Sequence, residues 1–167
     1  MMAEIMHFIE NNRKFEKVSR CKDWDFNLPK RKTKHSAGYD FECPETVTIP
    51  PYKLGDKPFL VPTGIKCNMG DDEFLMLVSR SSNPAKKNLV VPNSFGVIDA
   101  DYYNNPDNEG EMMFAFYNLG TEPVVLEKGY CMGQGIFQKY YTTVDDNTTE
   151  ERTGGWGSTN KGGKGND

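Results

Sequence analysis

The feature that most restricts how this chain can fold is the shortness of its apolar runs. Arg13 to Val18 alternates polar and apolar residues, and Glu45 to Ile49 does the same before Pro50-Pro51 stops it. Phe59 to Asn68 is interrupted by Pro62 and Gly64. Met69-Gly70-Asp71-Asp72 is turn chemistry, and predicts a hairpin into Glu73–Ser79. Glu111–Tyr117, Pro123–Leu126 and Met132–Tyr141 follow, split by Asn118-Leu119-Gly120 and Glu127-Lys128-Gly129. Short strands at this spacing predict an all-β sandwich or barrel rather than an alternating α/β fold.

Two segments carry helical signals. Residues 3–12 could form a weak N-terminal turn. In Ser82-Asn83-Pro84-Ala85-Lys86-Lys87-Asn88, Ser82 or Asn83 can cap and Pro84 suits the first helical position. The 167 residues suffice for one domain with a real core, expected over 1–141. From Thr142 the chain turns polar and acidic, then glycine-rich from Gly154 onward. Such a composition cannot bury enough apolar surface to fold alone, so 142–167 is expected to be a flexible arm.

Several function classes fall away. A net charge of −4 argues against a nucleic-acid backbone as partner. The longest apolar run, Phe74–Val78, is far short of a membrane span, and the start lacks a signal-peptide layout. Cys21, Cys43, Cys67 and Cys131 are scattered without CxxC spacing, which argues against zinc or a disulfide framework and fits a reduced cytoplasmic protein. With only His7 and His35, a histidine-based triad has little to draw on.

Three stretches and one lone acid carry chemistry. In Gly96-Val97-Ile98-Asp99-Ala100-Asp101-Tyr102, strand alternation puts Ile98, Ala100 and Tyr102 on one face and Val97, Asp99 and Asp101 on the other. Paired carboxylates there either do chemistry or form a solvated turn. Asp99 is the best candidate for a base that activates water. Arg80-Ser81-Ser82 combines an arginine, hydroxyls and a helix start, which makes an anion site or an ordinary cap. Arg152-Thr153-Gly154-Gly155-Trp156-Gly157-Ser158-Thr159 combines glycines able to close on phosphate with an indole able to stack on a base. It lacks the Lys-Ser/Thr pair of a Walker A loop. Asp40, in Ser36-Ala37-Gly38-Tyr39-Asp40, is a turn acid or the holder of a magnesium-bound water.

Five segments in order resemble the motifs of the trimeric dUTPase family. They are Ala37–Asp40, Arg80–Ser82, Gly96–Tyr102, Gly133-Gln134 within Lys128–Phe137, and Arg152–Thr159. The resemblance implies a distorted jelly-roll or β-clip-like barrel, with one short helix and a C-terminal arm. Three such subunits would form a homotrimer with shared active sites. It implies that Asp99 deprotonates the water attacking the α-phosphorus of dUTP, and that Tyr102 packs under the deoxyribose and excludes a 2′-hydroxyl. Asn93, Gly96, Val97 and Ile98, with the backbone through Asp99, would read the uracil edge. Arg80, Ser81, Ser82 and Gln134 would hold phosphates, and Asp40 a water of Mg²⁺. Arg152, Gly157, Ser158 and Thr159 would grip the γ-phosphate while Trp156 covers the uracil.

The match has departures. Trp156 replaces a usual phenylalanine, Ser82 a glycine, Cys131 an arginine and Asn160 a glycine. Tyr103–Glu109 is an insertion, similar to a Gram-positive bacterial and phage branch, and is expected to extend a hairpin tip. Two rival functions remain. One is a dCTP deaminase of the same fold, whose G-x-x-x-x-E-F-[YF]-N segment aligns with Gly110–Asn118 but with Ala115 at the glutamate. The other is a catalytically silent regulatory homologue.

Overall fold

The computed structural model describes residues 13–150 and 152–155. The strands are β1 (Lys14–Lys17), β2 (Tyr39–Glu42), β3 (Val47–Ile49), β4 (Phe59–Pro62), β5 (Ile65–Asn68), β6 (Glu73–Ser79), β7 (Leu89–Val90), β8 (Phe95–Asp99), β9 (Met113–Asn118), β10 (Val124–Leu126) and β11 (Cys131–Lys139). One short helix, α1 (Ser82–Lys87), follows β6, and 3₁₀ turns cover Ser19–Cys21 and Ala100–Tyr102. The expected turn at 3–12 lies outside the described residues.

A four-stranded antiparallel sheet, ordered β2-β11-β6-β8, carries Asp40, Gly96, Val97, Ile98, Asp99 and Gln134 of the expected site residues. A three-stranded sheet, β4-β9-β7, and the pairs β1-β5 and β3-β10 complete the jelly-roll-like arrangement. Among the described residues the sheets do not close into one barrel. On β6 the alternation buries Glu73, Leu75 and Leu77 on one face. These apolar side chains meet Phe41, Ile98, Phe114, Phe116 and Met132 in a single core. Fully burying each such side chain stabilises by roughly 1.5–3 kcal/mol. Glu73 is buried because the Arg13 guanidinium pairs with it and the Gly70 N–H donates to it.

Four local expectations are corrected. Met69–Asp72 is a turn, but not a hairpin turn: β5 pairs with β1 while β6 pairs with β11 and β8. The strand ending in the acids stops at Asp99, and a 3₁₀ turn carries Ala100–Tyr102. Burial overrides alternation there, because Tyr102 reaches the core from the turn. Nor is Asp99 at a hairpin tip, since β8 and β9 belong to different sheets. Helix α1 starts after Ser81, which makes no capping bond, so neither Ser82 nor Asn83 is its cap. It ends at Asn88, whose left-handed backbone closes the last turn.

Candidate active site

The expected site residues fall into two groups at opposite ends of the four-stranded sheet. The first gathers where β2, β11 and the C-terminal end of β6 meet. Register pairs Gln134 with Asp40 on one side and with Val78 on the other, two residues before Arg80. At Gly38 a Cβ would lie 1.8 Å from Gln134 Oε1, so the glycine leaves the room that this glutamine side chain occupies. Gly133 is as tightly placed: its Cβ would lie 2.3 Å from Phe114 Cε1 and 2.4 Å from the Val78 carbonyl.

A buried asparagine fastens Arg80–Ser82 to this end. Asn83 donates to Ser79 Oγ at 2.9 Å and to the Met132 carbonyl at 2.7 Å, and accepts from the Tyr130 hydroxyl at 2.7 Å. These bonds tie α1 to β11 and fix the segment that opens the helix. Turn and cap propensities read Asn83 as a helix-start residue, and its role as a hub came only from packing.

Cys131, at the position of the missing arginine, is buried beside Asp40, Arg80 and Lys32. Burial and the Asp40 charge push its thiol up, while the two cations pull it back. Lys32 Nζ lies 3.1 Å from Asp40 Oδ2, so a lysine from the preceding loop brings a cation to this corner. The basic run Lys30-Arg31-Lys32 was its signal in the sequence. Cys43 and Cys67 are pushed up to about 12, chiefly by burial. Neither is a nucleophile at neutral pH.

The second group lies at the other end of β8. Ile98 and Tyr102 are buried, whereas Val97, Asp99 and Asp101 are exposed. The Tyr102 hydroxyl donates to the Glu111 carbonyl at 3.2 Å and accepts from Asn108 Nδ2 at 2.8 Å. Its ring is thereby held as a fixed floor, and burial pushes its phenol up. Arg152 spans the acids: Nη2 is 2.6 Å from Asp99 Oδ2, and Nε is 2.8 Å from Asp101 Oδ1. Its guanidinium carbon also stands 5.5 Å from the centre of the Tyr102 ring. Burial works against the Arg152 charge, but the hydrogen bonds it donates to Asp101 and Asp99, together with their negative charges, outweigh it, and the net shift is upward. Both acids are about half exposed, so water screens the pairs and they contribute little to stability.

Gly96 sits opposite Leu77, and Asn93 is exposed in the turn that feeds β8. Trp156, Gly157, Ser158 and Thr159 lie outside the described residues. The insertion after Tyr102 does not extend a hairpin. It folds into a compact loop whose centre, Asn105, is buried and donates to the Tyr102 carbonyl at 2.8 Å.

The two groups do not meet within one chain. Asp99 pairs with Phe74 at the start of β6, whereas Arg80 follows the end of that strand. Six strand residues span about 20 Å. Among the described residues no three His, Cys, Asp or Glu groups are placed to hold a metal ion. Asp40 alone therefore does not form a cage for an ion.

Fold and residue set together define an all-β, jelly-roll-like phosphohydrolase. More particularly, the chain belongs to the dUTPase family, whose model matches residues 25–160. It is 50% identical over 149 residues to the deoxyuridine 5'-triphosphate nucleotidohydrolase of Lactococcus lactis, covering 88% of this chain and 97% of that one. The enzyme of the same name from Rickettsia canadensis is 35% identical over 148 residues, covering 86% and 95%. The dUTPase crystal structure from Streptococcus mutans superposes with a TM-score of 0.71 at 45% identity, covering 77% of this chain and 97% of that one. A mutant dUTPase from phage phi11 of S. aureus, described as coordinating a structural Mg(II) ion, shares the fold with a TM-score of 0.63 at 19% identity, covering 84% of this chain and 98% of that one.

Proposed function

We propose that the protein hydrolyses dUTP to dUMP and pyrophosphate, with Asp99 taking a proton from the water that attacks the α-phosphorus. The observation that carries this reading is the exposed Asp99 carboxylate beside the buried, doubly hydrogen-bonded Tyr102. A fixed aromatic floor next to a half-exposed carboxylate suits a deoxyribose stacked within reach of a water. In this reading the ring packs under the deoxyribose and excludes a 2′-hydroxyl. The turn at Asn93 and the exposed edge of β8 at Gly96, Val97 and Ile98 offer backbone donors and acceptors to the uracil. A mismatched polar edge is costly, and such a site can reject a competitor by about 10⁴-fold.

Phosphate charge falls to Arg80, Ser81, Ser82 and Gln134, and to Arg152, Ser158 and Thr159 of the 142–167 arm, with Gly157 allowing close approach and Trp156 covering the base. Mg²⁺ bound to the phosphates would neutralise charge developing on them, with Asp40 orienting one of its waters. Hydrolysis of a phosphoanhydride needs positioning, neutralisation and an aligned water, with no covalent nucleophile.

About 20 Å of strand separates Asp99 from Arg80. One nucleotide cannot engage both in a single chain. The reading therefore includes a homotrimer in which one subunit's Asp99 faces another's Arg80–Ser82 and Asp40. It also places the protein in the cytoplasm, or in the host cytoplasm if phage-encoded. Among the described residues no helix is long and apolar enough to cross a membrane.

Deamination of dCTP finds no support. Ala115 is buried in β9, and Glu111 is engaged by the Arg20 guanidinium and the Gly64 N–H. Purified protein with magnesium should release pyrophosphate from dUTP and no ammonia from dCTP. Ammonia release, or inert dUTP, would overturn the reading.

A further inference from the structure

The loop inserted between Tyr102 and Gly110 has different partners on its two sides. Outward, the Tyr103 hydroxyl donates to the Glu16 carboxylate, and Lys66 Nζ donates to Asn104 Oδ1 at 2.6 Å. Glu109 accepts from the Ser19 hydroxyl at 2.8 Å. These contacts anchor the loop on β1, on β5 and on the turn after β1. Inward, the buried Asn105 accepts from the backbone N–H groups of Asp107 and Asn108, at 3.1 and 3.2 Å. Gly110 closes the loop with a left-handed φ of 82°, and a Cβ there would lie 2.6 Å from the Tyr102 carbonyl oxygen.

Asn108 is the residue through which this loop reaches the Tyr102 ring. Its Nδ2 donates to the Tyr102 hydroxyl at 2.8 Å and to the Glu111 carbonyl at 3.2 Å. Its Oδ1 accepts from Asn105 Nδ2 at 2.8 Å and from the Gly110 N–H at 3.1 Å. An amide with its oxygen between two donors and its nitrogen between two acceptors has one orientation only. The Tyr102 hydroxyl is therefore tied to a side chain that is itself fixed, and through it to β1 and β5.

We propose that Asn108 is a positioning residue for the choice of deoxyribose over ribose. By holding the Tyr102 hydroxyl, it keeps the ring from withdrawing far enough to admit a 2′-hydroxyl. This inference rests on the reading that the Tyr102 ring lies under the deoxyribose. A hydroxyl adds little volume, and an apolar surface by itself rejects one weakly. Steric rejection of so small a group works only against a wall that does not yield. The ring is tethered at its far end by one donor, Asn108, and one acceptor, the Glu111 carbonyl. Removing the Asn108 side chain takes away the donor and opens space at the tip of the ring.

Hydrolysis of dUTP and of UTP by the full chain with magnesium, and inhibition of dUTP hydrolysis by UTP, test this. In Asn108→Ala the ratio of kcat/KM for dUTP over UTP should fall about tenfold, the scale of one hydrogen bond. UTP should also compete with dUTP about tenfold better. Tyr102→Phe removes only the hydroxyl, keeps the ring, and should shift the ratio and the competition in the same direction. It decides the matter even if the loop tolerates no change at position 108. The double variant should shift no further than either single one, because both remove the same bond. A loop that served folding alone would slow both nucleotides alike, and an unchanged ratio in both variants would overturn the role of Asn108. Additive shifts in the double variant would overturn it too. A parent protein inert toward dUTP would instead bring down the substrate reading, and this inference with it.

Discussion

The sheet interior and the arm root are built on different terms. Where β11 crosses β6 and β2, Gly133 and Gly135 bring ring carbons of Phe114 and Phe41 and the Leu75 side chain against the backbone, leaving no space for a methyl. The arm root is instead held by one N–H on Asp107 and a screened arginine on two half-exposed acids. Dense packing fixes residues that must never move, such as Gln134 and the Arg80 segment. A few polar contacts suit a segment that must admit a nucleotide and then let product go. Chemistry is therefore placed by the sheet, and closure is left to a contact weak enough to be exchanged for phosphate.

The strongest challenge to this contrast is Asp99→Asn, which removes the proposed base while leaving the sheet interior untouched. Turnover of dUTP should drop about 10³-fold, within the usual range for a general base, while affinity for a non-hydrolysable dUTP analogue stays within a few fold. Calorimetric titration of the analogue checks it. A large loss of affinity would show that the carboxylate holds substrate instead of activating water.

Truncation after Thr149 removes Arg152 and the rest of the arm beyond it, and none of the described residues it removes belongs to the hydrophobic core. Hydrolysis should slow about 10²-fold, the scale of losing preorganised charge around phosphates. The melting temperature should move by only a few degrees. Cooperative unfolding of the truncated chain at low temperature would show that arm and sheet are not separate after all.

The comparison also explains what could be read from the sequence. The strand Glu73–Ser79 was legible because a short apolar run, Phe74–Val78, follows turn residues, and the short α1 because Pro84 and the residues around it favour a helix. Pairing was not legible: Met69–Asp72 has hairpin chemistry, yet β6 finds its partners in β8 and β11, because long-range packing decides register. The acids of Gly96–Tyr102 stood out locally. Their arginine lies in a distant segment of the chain and was assigned to phosphate, so its place on Asp99 and Asp101 came only from the structure. Asn83, Asn105 and Lys32 are side chains whose roles exist only once strands are assembled, and single-residue propensities mark them as turn or surface residues.

Gly133→Ala probes the other side of the contrast. Its methyl would collide with the Phe114 ring and the Val78 carbonyl, and backbone cannot yield as a flexible side chain can. Overpacking of this kind costs about 2 kcal/mol, which should appear as a lower urea midpoint at unchanged m-value.

The smallest effect comes from thiols in the sheet interior. Burial, helped by the Glu73 charge, pushes Cys67 up to about 12. In the unfolded chain the same thiol ionises near its ordinary value of about 8.5. Between those limits the unfolded state has lost a proton that the folded state keeps. The stability contributed by the neutral thiol is therefore complete below the unfolded value and is lost as pH rises toward the folded one. Comparing urea unfolding at about pH 8 and about pH 9.5 should show Cys67→Ala losing about 1 kcal/mol less than the parent over that interval. Truncating the arm should leave this difference unchanged, because no thiol contacts it in the described residues. A slope that depended on the arm would mean that closure reaches into the core, and the division drawn between the two regions would have to be abandoned.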